Sequence, residues 1–115
     1  MKGSKLDSGK LSWHALPLVL LKPLAEVFNA GIAKGYGEYN CLQPFDDPDR
    51  RFYDAIMRHL EACQLDPLAI DEETGCYHAA QIAFNTLLRL HNAIRIKEEN
   101  ESRSDMPTGE ICTAV

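Results

Sequence analysis

The chain has 115 residues, which is enough for one domain with a single hydrophobic core. Its content of 45% hydrophobic and 25% charged residues is typical of a globular protein. The formal net charge of −5 argues against electrostatic binding of a nucleic-acid polymer, but not against a nucleotide held through a divalent metal ion.

The N-terminal sequence predicts neither export nor membrane insertion. The start, MKGSKLDSGKLSW, lacks the apolar region of a signal peptide, and the apolar run at residues 16–21 is too short to span a bilayer. The four cysteines do not have zinc-type spacing, and we interpret them as reduced thiols. We therefore expect a cytoplasmic protein without a membrane or nucleic-acid partner.

Composition divides the chain into three parts. Residues 1–10 are polar and predict an extended N-terminal arm. Residues 11–96 predict an all-α domain, a small bundle of three main helices with a shorter N-terminal element. Residues 97–115 are charged and then small and polar, which predicts a frayed helix end followed by a flexible tail.

The first main helix is predicted from about Pro17 to Ala33. Pro23 within this pattern predicts either a kink or a true start near Lys22. The sequence that follows, GIAKGYGEYN, combines flexible glycines with a cation, a ring and an amide: Lys34, Tyr36 and Asn40. It fits either a helix stop with a loop or a turn that binds a phosphate and stacks on a base.

The second helix is predicted from Pro48 to about Gln64, with Asp47 as its cap. Its core face has apolar residues at spacings of three and four: Phe52, Ile56, Leu60 and Cys63. His59 falls inside this face, with Arg58 on its flank. Since an unpaired buried polar group costs about 1–3 kcal/mol, this pair predicts polar partners on a neighbouring helix.

The third helix, roughly Gly75 to Asn92, is apolar almost all round and is predicted to be buried. One polar stripe interrupts it, at spacings of three and four: His78, Gln81 and Asn85. This stripe and the polar pair on the second helix predict a polar pocket between helices. Because a three-helix monomer cannot cover such an apolar helix, we also expect a homo-oligomer, either a dimer or a tetramer.

Acidic residues precede the third helix. Asp71 and Glu73 are placed to cap the helix, because negative charge favours the positive end of the helix dipole. Alternatively, one of them reaches His78 and binds a hard cation, for which oxygen ligands are suited. Asp54 on the second helix is a further candidate ligand, although it lies opposite the apolar face.

An ordered series of residues runs from about Asp7 to Leu90. Its most specific part is Arg58-His59, Asp71, Gly75, His78 and Asn85. Its weaker parts are Asp7-Ser8-Gly9-Lys10, Leu16-Pro17, Gly31, Lys34, Tyr36-Gly37, Asn40, Tyr53-Asp54-Ala55 and Thr74. This series resembles the small phage-encoded dATP/dGTP diphosphohydrolase family, a MazG-like group that includes MazZ. Gln81 stands where that family often has a second histidine, and the paired glutamates of the general MazG pattern are absent.

The resemblance implies an all-α, oligomeric nucleoside triphosphate pyrophosphohydrolase that uses Mg²⁺ or Mn²⁺. The implied reaction converts a purine deoxynucleoside triphosphate, dGTP or dATP, to the monophosphate and pyrophosphate. In a phage-encoded protein this reaction would control the nucleotide pool in the host cell cytoplasm.

The chemistry of a triphosphate predicts roles for individual residues, because cations must neutralise the charge that builds up as the bond breaks. The predicted metal ligands are Asp71, Glu73 and Asp54. The predicted catalytic residues are His59 and His78, which position or deprotonate the attacking water, and Arg58, which pairs with phosphate. The predicted substrate-binding residues are Lys10 and Lys34 for phosphate, Tyr36 for stacking, and Asn40 and Asn85 for the base edge.

Two other classes of protein fit the same residues. One is a sponge that binds a nucleotide or signalling nucleotide without a competent metal site, which the low number of carboxylates favours. It would retain its ligand tightly without turnover. The other is a structural α-helical oligomer whose polar stripes are only buried hydrogen-bond networks.

Overall fold

The computed structural model describes residues 2–104, and within them it consists of three α-helices joined by turns and loops. The helices are α1 (Lys22–Ala33), α2 (Pro48–Cys63) and α3 (His78–Ser104), with short 3₁₀ turns at Trp13–Ala15, Leu18–Leu21 and Asn40–Leu42. This part of the chain has no strand, only an isolated bridge between Ile70 and Tyr77. The predicted all-α class with a shorter N-terminal element is confirmed.

Prolines determine where α1 and α2 begin. Helix α1 starts at Lys22, after a 3₁₀ turn, so that Pro23 lies in its first turn, where no backbone N–H is needed. Helix α2 starts at Pro48, as predicted. Asp47 occupies the N-cap position of α2 as predicted, but it has a left-handed φ of 46° instead of the extended conformation of a cap, and its side chain makes no capping hydrogen bond.

Helix α3 begins later and ends later than the sequence predicts. A turn occupies the residues before His78, and the helix then continues to Ser104, well beyond Asn92. The additional turns carry a Lys97–Glu101 ion pair at 3.8 Å, an i, i+4 spacing that supports an exposed helix. Residues 97–104 of the predicted tail are therefore helical, and residues 105–115 lie outside the described part.

The core is small and lies where α3 contacts α1 and the residues before α3. Its buried members are Val27, Cys76 and Ala80, and the residues packed against them are Ala30, Tyr77 and Phe84. Phe28 of α1 meets Phe84 of α3 edge-to-face, with ring centroids 4.8 Å apart. Other apolar residues of α3 stay open among the described residues: Leu87 and Leu90 are 48% and 56% exposed. The homo-oligomer stays a prediction.

Candidate functional site

A tight turn holds Asp71 against the two long helices. The backbone carbonyl of Asp71 accepts a hydrogen bond from the N–H of Gly75 at 2.7 Å, and its N–H donates to the carbonyl of Cys76 at 2.8 Å. Gly75 has a φ of +74°, a left-handed conformation that favours glycine. The turn therefore fixes the backbone of Asp71 where α3 begins.

Three candidate metal ligands come together at this turn. One ligand atom from each of His59, Asp71 and His78 lies within 4.8 Å of the other two. The Nδ1 atoms of the two histidines are 2.9 Å apart, so that one ring donates a proton and the other accepts. We call these three residues the metal group. Two imidazoles and a carboxylate are donors that suit a divalent first-row transition ion.

The surroundings keep the metal group ready to bind a cation. Burial lowers the pKa of His59, and the neighbouring His78 and Arg58 lower it further, which favours the neutral imidazole needed for a metal bond. Partial burial opposes ionisation of Asp71, but hydrogen bonds from Gln81 and from the Glu73 backbone outweigh it and hold the pKa of this carboxyl below its usual value. The donor set therefore fits a divalent cation.

Gln81 connects the metal group to a cleft. Its Nε2 donates to Oδ2 of Asp71 at 3.0 Å and to Oγ1 of Thr74 at 3.2 Å. The other oxygen of Asp71, Oδ1, accepts from the backbone N–H of Glu73 at 3.0 Å. These hydrogen bonds therefore orient both carboxylate oxygens of Asp71. The Gln81 side chain that makes one of them is buried.

The cleft lies between the three helices and has a volume of about 340 Å³. Its polar lining residues are Lys34, Tyr36, Asn40, Arg51, Thr74, Gln81 and Asn85, and its apolar ones include Val27, Phe45, Phe52, Phe84 and Leu88. We call it the central cleft. It brings together four of the five predicted substrate-binding residues, which lie on the segment after α1 and on α3. Tyr36 and Asn40 also line a neighbouring cleft with Phe28 and Tyr39.

Several predicted site residues lie elsewhere. Lys10 is exposed in the N-terminal segment and lines none of the described clefts. Arg58 is exposed and lines a separate surface cleft with Met57 and Glu61, because it projects about 100° away from His59. The structure does not bring these two cations to the central cleft.

Two of the three predicted metal ligands also lie outside the metal group. Asp54 is on the exposed face of α2, 3.9 Å from Arg50. Glu73 is next to the group in the turn, but its carboxylate pairs with Lys34 at 3.0 Å and is 76% exposed. Asp71 is thus the carboxylate that the structure places with the two histidines.

Sequence reasoning gave no functional role to two residues that line the central cleft. Arg51 lines the central cleft, and it precedes Ala55 and His59 by four and eight residues, a helical spacing that could have identified it. Thr74 lines the cleft and accepts a hydrogen bond from Gln81. No sequence spacing predicts the contact between Thr74 and Gln81, because it depends on the turn before α3.

The sequence was compared with models of known protein families, and one family matches nearly the whole chain. The model of the family described as dATP/dGTP diphosphohydrolase, N-terminal, matches residues 1–103. The chain belongs to this family. The family name describes a hydrolase, as the resemblance implied. No curated protein and no solved structure matches the chain. Among residues 2–104, no helix has both the length and the apolar character to cross a bilayer.

Proposed function

We propose that this member of the family is a metal-dependent pyrophosphohydrolase that converts a purine deoxynucleoside triphosphate, dGTP or dATP, to the monophosphate and pyrophosphate. The observation that carries the proposal is the contact between Gln81 and Asp71, which joins the central cleft to the metal group. A nucleotide in the cleft would thereby have its phosphates close to the candidate metal ligands. The family description supports the same substrates.

His59, Asp71 and His78 would hold the ion, which supplies positive charge at phosphate oxygens and a more acidic water. Of Mg²⁺ and Mn²⁺, we favour Mn²⁺, because Mg²⁺ prefers oxygen ligands and two of the three donors here are imidazoles. The hydrogen bond between the two histidines places one proton between them, and binding of a cation through both Nδ1 atoms would require the ring that donates it to carry its proton on Nε2 instead.

The cations of the central cleft would bind the phosphates. Lys34 and Arg51 both line it, and each can form charge-assisted hydrogen bonds to phosphate oxygens. Lys34 is paired with Glu73 in the structure, but the side chains are 39% and 76% exposed. Exposed ion pairs are worth at most about 1 kcal/mol, so a phosphate would replace Glu73 at little cost.

Tyr36 and the amides of Asn40 and Asn85 would contact the nucleoside. We also propose that the protein is a dimer or a tetramer, that it is cytoplasmic, and that it is encoded by a phage. The exposed leucines on α3 support the oligomer, because an assembly would cover them.

A second candidate function is a nucleotide sponge. It is favoured by the metal group itself, which has a single carboxylate where metal-activated hydrolysis usually has more. In that case the central cleft would bind the same nucleotides, but the bound triphosphate would stay intact.

One screen separates these functions. Purified protein is incubated with each deoxy- and ribonucleoside triphosphate in Mg²⁺ or in Mn²⁺, and released pyrophosphate and retained ligand are both measured. The proposal predicts pyrophosphate from purine deoxynucleoside triphosphates, faster with Mn²⁺. Tight retention without pyrophosphate would establish the sponge. If the protein neither binds nor hydrolyses any of the nucleotides, the structural oligomer is supported.

A further inference from the structure

Glu73 lies between the metal group and the central cleft. Its backbone N–H donates to Oδ1 of Asp71 at 3.0 Å, so its backbone is fixed beside a candidate metal ligand. Its carboxylate pairs with Nζ of Lys34 at 3.0 Å, and Lys34 lines the central cleft. The backbone and the side chain of Glu73 thus contact the two parts of the site that a cation and a nucleotide would occupy.

The carboxylate of Glu73 is free to change partners. Its side chain is 76% exposed, and among residues 2–104 it pairs with Lys34 alone. An exposed ion pair contributes little to stability, because water solvates both charges well. A glutamate side chain also reaches different positions by rotation about its own torsions. The carboxylate can therefore leave Lys34 without any movement of the turn.

A cation in the metal group would attract this carboxylate. The group offers one carboxylate and two imidazoles, so a divalent ion bound there keeps a net positive charge. The charge of Glu73 already acts on the group: burial is the main influence on the pKa of His59 and lowers it, whereas Glu73 acts in the opposite direction. The carboxylate of Glu73 is therefore close enough to respond to a cation there.

We propose that Glu73 exchanges partners when a nucleotide binds: a phosphate group takes its place on Lys34, and the released carboxylate becomes the fourth ligand of the metal group. Nucleotide and cation then favour each other's binding, because the ion pair is broken once for both. Nucleotide binding thereby supplies the metal group with a second carboxylate. This inference rests on the proposed function, since it assumes that the central cleft holds the nucleotide.

The exchange is measured as nucleotide affinity with and without metal. The probe is α,β-methylene-dGTP, an analogue whose α–β linkage is not hydrolysed, and calorimetry gives its dissociation constant in EDTA and in saturating Mn²⁺. In EDTA we expect Glu73→Gln to bind the analogue about three- to fivefold more tightly than wild type, the size of an exposed ion pair, because no carboxylate competes for Lys34. In Mn²⁺ we expect equal affinities, since the ion then holds the carboxylate that wild type releases.

The two conditions distinguish the exchange from simpler roles of Glu73. If wild type binds the analogue more weakly than Glu73→Gln in Mn²⁺ as well, to the same extent as in EDTA, Glu73 only competes with phosphate. If the two proteins bind it equally in both conditions, Glu73 is only solvated. Either result overturns the proposal.

Glu72→Gln is the matched control for a general effect of negative charge. Glu72 is the neighbouring exposed carboxylate, and it forms no ion pair within the described part of the chain. We expect Glu72→Gln to bind the analogue like wild type in both conditions. If it tightens binding in EDTA as much as Glu73→Gln does, the proposal is wrong.

A double-mutant cycle locates the effect at Lys34. In Lys34→Ala, phosphate and Glu73 no longer share a cation, so adding Glu73→Gln should leave the affinity in EDTA unchanged. The full gain in that background would overturn the proposal. Pyrophosphate release from dGTP is assayed separately. Release without the exchange contradicts this inference alone, the exchange without release contradicts the proposed function alone, and absence of any binding of the analogue contradicts both.

Discussion

The Nδ1 atoms of His59 and His78 lie 2.9 Å apart, although the residues belong to different helices and are separated by the turn that carries Asp71. This contact exists because α2 and α3 pack side by side and the turn returns the chain over their junction. It brings two imidazoles and one carboxylate within 4.8 Å of one another, next to a cleft with two cations.

Removal of one imidazole should weaken cation binding. For His59→Ala we expect the dissociation constant for Mn²⁺ to rise at least about tenfold, because one of three ligands is lost. Calorimetry measures the affinity, and circular dichroism checks that the helices remain. His91→Ala is the control, since His91 is an exposed histidine on α3 outside the metal group. Equal affinities of wild type and His59→Ala would exclude His59 as a ligand.

Gln81 should act on the metal through Asp71. Gln81→Leu removes the hydrogen bond to Oδ2 of Asp71, and loss of a contact that orients a ligand typically costs 10- to 100-fold in affinity. We therefore expect Mn²⁺ to bind about 10- to 100-fold more weakly. Gln64→Leu, a change at an exposed glutamine at the end of α2, should have no effect. An unchanged Mn²⁺ affinity in Gln81→Leu would show that Asp71 needs no such support.

The three helices could largely be predicted from the sequence. Apolar spacing predicted the three helices, and Pro23 and Pro48 predicted two of their starts. The end of α3 was missed because its last turns, KEENESRS, have no apolar face and are supported instead by charged side chains such as Lys97 and Glu101.

The site was less predictable, because its contacts join residues far apart in sequence. Composition alone identified Lys34, Tyr36 and Asn40 as candidates, and helical spacing identified Asn85. The ion pair of Lys34 with Glu73 spans 39 residues, and no local pattern reveals it. Arg58 was expected to reach the pocket from the flank of the apolar face that contains His59. It is exposed and lines a separate cleft instead, because adjacent residues on a helix point in different directions.

Lys34 should matter for nucleotide binding more than for stability. Its ion pair with Glu73 is exposed, so Lys34→Ala should change the free energy of unfolding by no more than about 1 kcal/mol. Loss of a charge-assisted contact to phosphate should weaken nucleotide binding by about 1.5–3 kcal/mol. Urea unfolding and nucleotide titration measure the two effects. Lys97→Ala is the control, since Lys97 is also ion-paired but does not line the central cleft. Equal effects of the two variants on binding would exclude a specific role for Lys34.

Asp71 should contribute to stability in a pH-dependent way. Its pKa in the folded protein is lowered, so the contribution is complete above the ordinary pKa of an aspartate and is lost as the pH falls from there through the lower folded value. In the absence of metal, wild type should therefore be more stable than Asp71→Asn at neutral pH, and the difference should shrink below about pH 4. Urea unfolding between pH 7 and pH 3 measures this. A difference that stays constant over the whole range would contradict the lowered pKa.

The comparison of wild type with Asp71→Asn on dGTP in Mn²⁺ tests whether the metal group acts in the release of pyrophosphate. Phosphorus NMR identifies the products, and circular dichroism confirms that both proteins are folded. We expect wild type to form dGMP and pyrophosphate and Asp71→Asn to be slower by at least about 100-fold, corresponding to about 2.7 kcal/mol of transition-state stabilisation. Equal rates in the two proteins, or formation of dGDP and phosphate, would contradict it.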